Sequence, residues 1–217
     1  MKQDTSLRLT EIFHSLQGEA RSAGRPTVFV RLTGCPLRCQ YCDTAYAFEG
    51  GKILVLDQIL EEVAGYRCDH VTVTGGEPLA QPACIPLLEA LCDAGYLVSL
   101  ETGGAMPIDA VDKRVSVVLD LKTPGSLEAA RNRYDNIPLL KKSDQVKFVI
   151  CDRKDYEWSR ARLAQYDLAS RVDDVLFSPS FSEQNATELA DWILADALPV
   201  RMQLQLHKLI WGDKPGH

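Results

Sequence analysis

The 217-residue sequence contains no apolar run near the roughly 18 residues needed to cross a bilayer. Its first residues, MKQDTSLRLTEIF, carry charge where a signal peptide needs an apolar stretch. No membrane partner and no export are expected, and the chain reads as cytoplasmic. A basic surplus is also missing: 24 Lys and Arg stand against 30 Asp and Glu, a net charge of −6. That excludes a general nucleic-acid binder, which attracts phosphates with clustered cations. There is no internal repeat, no low-complexity tract and no Ser/Gly/Pro-rich linker, so residues 1–217 read as one domain. The GxGxxG fingerprint of dinucleotide-binding folds is absent too. Hydrophobic residues at 46% and charged residues at 25% leave an ordinary globular protein. Its seven cysteines are odd in number and three are crowded together, which disfavours a disulfide framework.

Short β-branched runs predict strands at Thr27–Thr33, His70–Thr74, Tyr96–Leu100, Val115–Leu121, Gln145–Ile150, Asp174–Ser178 and Val200–Leu206. Helical patterns lie between them. Leu56, Ile59, Leu60 and Val63 share one face, and Cys84, Leu87, Leu88, Leu91 and Cys92 form an apolar stripe before Gly95. A third carries Leu189 and Ile193 behind Asn185 and Glu188, a capping-box arrangement. Alternating strands and helices imply parallel pairing, hence an α/β fold. A complete eight-unit barrel needs about 250 residues. An incomplete TIM-like barrel of roughly six parallel βα units is therefore expected. Polar and Gly-rich signals cluster where the strands end: the cysteines after the first, GGEP after the second, ETGG after the third, then DLK, SPS and QLHK. One rim should carry the active site.

Cys35, Cys39 and Cys42 form a CxxxCxxC loop, residues 34–44. Three thiolates this close suit one soft-metal centre, and three protein ligands leave a coordination position open. A structural zinc would need a fourth ligand, for which His14 and His70 are the distant candidates.

CxxxCxxC after the first central strand, followed one βαβ unit later by TGGEP, resembles the radical S-adenosylmethionine (SAM) superfamily. The resemblance implies a [4Fe–4S] cluster on Cys35, Cys39 and Cys42 whose fourth iron chelates SAM. Further segments narrow it: EIFHSLQGEA at 11–20, GRP at 24–26, FVRLTGC at 29–35, CDT at 42–44, ETGG at 101–104, DLKTPGS at 120–126 and QLHK at 205–208. Together, from about Glu11 to Trp211, they resemble the 7-carboxy-7-deazaguanine synthase (QueE) family of queuosine biosynthesis. Ala20 departs from that pattern, which usually has Gly there. The implied reaction is a lyase step turning 6-carboxy-5,6,7,8-tetrahydropterin into 7-carboxy-7-deazaguanine and ammonia. In it a 5′-deoxyadenosyl radical abstracts hydrogen, the ring contracts and SAM is regenerated. Mg²⁺, a reducing electron donor such as flavodoxin and a homodimer are implied as well.

The resemblance also implies roles for single residues. Leu16, Gln17 and Gly18, in an N-terminal substrate loop spanning 11–26, cradle the pterin, and Thr74 and His207 touch it. Tyr41, Cys42, Asp43, Gly76, Glu77, Asp120, Leu121 and Lys122 lie against SAM, Thr44 holds Mg²⁺, and a tail at 205–217 covers the substrate. Arg31 has two readings: a bidentate partner for the substrate carboxylate, or half of an Arg–Asp pair inside the barrel. Lys122 and Lys147 are alternatively solvated strand-end charges, and His14 is expected in a loop near the substrate. Cys68, Cys84, Cys92 and Cys151 read as small buried hydrophobes. Two rivals stand beside this reading. One is an activase that places a radical on a glycine of a partner protein, disfavoured by SLQGE and DLKTPGS; the other is a noncatalytic zinc-binding module.

Overall fold

The computed structural model describes residues 6–181, 183–212, 214 and 216. Its strands and helices run β1 (Ser6–Leu16), β2 (Pro26–Leu32), β3 (Lys52–Val55), α1 (Leu56–Ala64), β4 (His70–Gly75), α2 (Cys84–Asp93), β5 (Leu97–Thr102), β6 (Ser116–Asp120), β7 (Gln145–Ile150), α3 (Arg153–Gln165), α4 (Leu168–Arg171), β8 (Asp174–Pro179), α5 (Ala186–Ala195), β9 (Arg201–Met202) and α6 (Leu206–Trp211). All nine strands join one sheet in the order β3-β1-β2-β4-β5-β6-β7-β8-β9. From β2 to β9 the pairing is parallel, and β1 and β3 add an antiparallel edge. The two ends of the sheet do not meet, so the barrel is open, as its length requires. No helix among the described residues is long and apolar enough to cross a membrane.

Four predicted features change. Residues 11–16 of the expected substrate loop are strand, and His14 with them; only residues 17–25 turn. A register shift between Leu9 and Glu11 breaks the alternation that would have announced this strand. The crossovers after β5 and β6 hold short 3₁₀ turns or none instead of α-helices, with Pro107, Pro124, Gly125 and Pro138 interrupting helical runs. The last strand shrinks to Arg201–Met202. Gln203 turns the chain inward, its amide exchanging two hydrogen bonds with the backbone of Ala20 at 2.7 and 2.8 Å, so QLHK opens α6 rather than ending a strand. Lastly, Cys84 alone of the four outlying cysteines is fully buried; Cys68, Cys92 and Cys151 are half-buried.

Elsewhere local chemistry sets the boundaries. Asn185 caps α5, its side chain accepting from the amides of Thr187 and Glu188. Helix α2 stops two residues before Gly95, whose φ of +90° suits glycine. The hydrophobic core lies between the helices and one face of the sheet, with Val28, Val30, Val71, Val73, Leu100, Leu119, Phe148 and Phe177 all buried in it.

Candidate active site

Successive residues of a strand point to opposite faces. Where one face meets helices it is apolar: Val28, Val30 and Leu32 in β2, Val71 and Val73 in β4, Val146, Phe148 and Ile150 in β7. Residues of the other parity line a cavity of about 330 Å³: Phe29, Arg31, Thr74, Glu101, Val118, Asp120, Lys147 and Val149. Five strands thus aim two cations, two carboxylates and a hydroxyl inward, where a packed barrel would place branched aliphatics. The volume suits a small ligand.

Residues 17–21 cross the cavity side of the sheet. Gln17 Nε2 donates to Glu101 at 3.1 Å and Thr72 at 3.2 Å, and the amide of Arg21 donates to Gln145 Oε1 at 2.7 Å. Arg21 also pairs with Asp174, the first residue of β8. Leu206 N–H donates to the Gly18 carbonyl at 3.0 Å, tying α6 to the same segment. Ala20 sits there with φ +61°, its methyl buried against Val118 and Leu176. The departure from Gly thus falls at a left-handed position, filled by alanine through burial.

The cysteine loop follows β2, with all three thiols lining one end of the cavity. Gly76 backs it: a Cβ there would stand 2.8 Å from Cys35 Cβ and 2.7 Å from the Gly34 carbonyl carbon. On the outer side, Gln40 N–H donates to the Ser126 carbonyl at 3.1 Å, Gln40 Nε2 to Glu183 at 2.7 Å and Arg38 N–H to Glu128 at 2.6 Å. The TPGS turn behind Ser126 is held by Asp155, 1% exposed, whose carboxylate accepts from Thr123 Oγ1 (3.0 Å), Gly125 N–H (2.8 Å) and Cys151 N–H (3.1 Å). DLKTPGS therefore buttresses the loop. Cys151 touches Glu183 and Asp155 through its thiol, a polar contact rather than an apolar one.

Burial raises all three loop thiols, Cys39 to about 11, so ligation has to deprotonate them. Among the described residues no three His, Cys, Asp or Glu side chains converge on the geometry of a single-ion site. His14 lies against Tyr66 and His70 near Arg25, both off the cavity lining, and neither completes a zinc centre. The three thiols share the lining of one cavity and are the soft donors that an iron–sulfur cluster takes.

Next to the thiols runs a chain of alternating charges. Lys122 Nζ lies 3.0 Å from Asp120 Oδ2, Lys147 Nζ 3.6 Å from the same oxygen, and Lys147 also pairs with Glu19. Both lysines are therefore buried ion-pair members rather than solvated strand-end charges. Asp120 Oδ1 and the Tyr41 hydroxyl are buried without a partner among the described residues. An orphan acceptor and an orphan hydroxyl beside three thiols fit a polar ligand such as SAM. Burial pushes the Glu101 carboxyl up, and the nearby Glu19 charge adds to it. Arg31 Nε donates to Glu11 at 2.8 Å, and Tyr46 donates to the same oxygen. The partner is thus a glutamate from the neighbouring strand, not an aspartate. Thr44 Oγ1 donates to Asp43 at 2.8 Å, setting two oxygen donors side by side.

Of the residues expected at the site, Leu16, Gln17, Gly18, Arg31, Cys35, Cys39, Tyr41, Cys42, Asp43, Thr44, Thr74, Gly76, Asp120, Lys122 and His207 line this one cavity. Glu77 and Leu121 do not. Glu77 is 0% exposed and its carboxylate holds the ETGG turn through Thr102 Oγ1 and Gly103 N–H; Leu121 packs in the helix-covered core. The expected tail contributes Gln205, His207 and Lys208; its residues 213, 215 and 217 lie outside the described ones. Sequence reasoning overlooks Glu19, Glu101 and Gln205. Glu101 carried a signal, standing next to the helix-facing Leu100 just as Thr74 stands next to Val73.

The Radical SAM superfamily model matches residues 29–137. The chain is 43% identical over 215 residues to the 7-carboxy-7-deazaguanine synthase of Chlorobaculum tepidum, covering 98% of this chain and 97% of that one. With the synthase of Koribacter versatilis it shares 41% identity, covering 94% and 97%. The crystal structure of QueE from Escherichia coli superposes with a TM-score of 0.76 at 23% identity, covering 93% of this chain and 95% of that one, a likeness of fold.

Proposed function

The chain belongs to the 7-carboxy-7-deazaguanine synthase family of radical SAM enzymes, and from that premise we propose that it converts 6-carboxy-5,6,7,8-tetrahydropterin to 7-carboxy-7-deazaguanine with release of ammonia. The observation that carries this reading is the sharing of one cavity by three thiols and the Glu101 carboxylate. A pterin presents an amine and a ring N–H along one edge. Glu101 already accepts from Gln17 and Thr74, and a carboxylate keeps lone pairs for two more donors. When bound, the [4Fe–4S] cluster on Cys35, Cys39 and Cys42 and SAM supply the one-electron and hydrogen-abstracting chemistry.

The protein's task is position and charge. Asp120 Oδ1 and Tyr41 offer an acceptor and a hydroxyl to SAM. Arg31, its Nε spent on Glu11, has its terminal nitrogens for the substrate carboxylate. Burial holds the His207 imidazole below its usual range against the pull of Glu19 and Asp43, so that it is neutral and offers one donor and one acceptor. Magnesium belongs to the same reading: a hard cation prefers oxygen, and Thr44 with the substrate carboxylate supplies it. A reducing electron donor such as flavodoxin, a homodimer and a cytoplasmic setting are parts of the same proposal. Full-length likeness to synthases favours a small substrate over a protein glycine.

Anaerobically reconstituted protein given reductant, SAM, Mg²⁺ and carboxytetrahydropterin should yield the deazaguanine, identified by mass. Cleavage of SAM without that product refutes the reading. Replacing Cys35, Cys39 or Cys42 by Ala should bleach the protein, and Thr44→Ala should weaken the Mg²⁺ response with the cluster intact.

A further inference from the structure

One side-chain amide joins the two halves of the cavity. Gln205 Nε2 lies 2.7 Å from Glu19 Oε1 and 3.2 Å from Asp43 Oδ2, so its two protons serve two carboxylates. Glu19 belongs to the segment that carries Gln17 and Gly18 under the substrate space. Asp43 belongs to the cysteine loop, between Cys42 and Thr44. Without a donor between them these like charges repel; Lys147 pairs with the other oxygen of Glu19, and Lys208 lies 3.7 Å from the same Asp43 oxygen that Gln205 reaches. Gln205 itself is the N-cap of α6, whose second residue, His207, packs on Gly18. An amide is the smallest neutral group that donates twice from one atom. Lys or Arg would bring a charge, and Glu no donor at all.

We propose that Gln205 is a positioning residue, a latch that ties the substrate segment to the cysteine loop so that radical chemistry begins only with the substrate space closed. This rests on the function proposed above. A primary-carbon radical attacks any nearby C–H, so a loose segment wastes SAM.

The test uses the holoenzyme and its Gln205→Glu, Gln205→Ala and Gln205→Glu/Glu19→Gln variants. Gln205→Glu keeps the shape and sets a third carboxylate between two others. The 5′-deoxyadenosine formed per product should rise at least about tenfold, since either of the two charge-assisted hydrogen bonds lost is worth that much. The Leu206 amide, bonded to the Gly18 carbonyl, should exchange with deuterium about tenfold faster, with iron content and visible spectrum unchanged. The double variant reverses the bond between positions 205 and 19 at the parent's net charge but sets a carboxylate against Asp43, so it should restore slow exchange at Leu206 while 5′-deoxyadenosine per product stays raised. Gln205→Ala, which adds no charge, should fall between. An unchanged ratio and unchanged exchange in both single variants overturn the latch, as does a double variant whose Leu206 amide exchanges as fast as in Gln205→Glu. If the parent enzyme makes no product, the proposed function fails, and amide exchange alone still decides whether Gln205 holds the segment.

Discussion

The ring of His207 occupies the space a side chain on residue 18 would need, with its Cγ 2.9 Å from the point where a Cβ at Gly18 would stand. Residues 189 positions apart in sequence thus form one surface of the cavity. Gly18→Ala should push His207 away while the sheet stays intact, because the imidazole can swing where a backbone cannot. We expect kcat/KM to drop at least about tenfold, the worth of one good hydrogen bond. The melting temperature should move little. A steady-state assay beside a thermal melt checks both.

Glu101→Gln removes a buried acceptor. Substrate affinity should fall about ten- to a hundredfold, the range for hydrogen bonds to a charged group; isothermal titration with the pterin measures it. The same variant has a pH signature. Burial, with the Glu19 charge, raises the Glu101 carboxyl above its ordinary 4.5, so folding favours the protonated form. That contribution is full below about pH 4.5 and is lost as pH rises through the folded value. The substrate-free melting temperature of Glu101→Gln, relative to the parent, should therefore climb from pH 4.5 towards neutrality. A flat difference refutes the assignment.

At Ala20 two small effects oppose each other. A left-handed φ costs a non-glycine residue about 1 kcal/mol, which Ala20→Gly relieves. Against that stand a buried methyl worth about 0.8 kcal/mol and the greater freedom of an unfolded glycine, roughly 0.4–1 kcal/mol. Ala20→Gly should come out neutral to mildly destabilising. Ala20→Val, β-branched and larger between Val118 and Leu176, should cost more than about 2 kcal/mol. Chemical denaturation of the two variants separates these outcomes.

Asp155→Asn offers one acceptor oxygen and an NH₂ to three donors that all need acceptors. About 2 kcal/mol of stability should go, the penalty for a buried group left unsatisfied. Because Ser126, on the same turn, accepts from Gln40 in the cysteine loop, the iron–sulfur absorbance should also bleach faster in air than in the parent. Equal bleaching rates would detach Asp155 from the loop.

The cysteine spacing, the parallel sheet and most of its strands follow from sequence, because period-two apolar runs and turn residues are local properties. So does most of one rim, since strands that end in Gly, Cys or Lys present those residues there whatever surrounds them. Gln145–Ile150 lies where its β-branched run predicts, and Asn185 caps the helix it introduces. Three things needed the tertiary structure. Glu101, Glu19 and Gln205 share one cavity only because residues 17–21 cross the sheet and hold α6 to it; nothing in their neighbourhoods announces one another. Glu77, in a motif that pointed to cofactor, spends its carboxylate inside the ETGG turn, since a fully buried charge has to find donors wherever the fold provides them. The final strand gave way to α6 because one glutamine amide found the backbone of Ala20, a long-range bond that outweighs local β propensity.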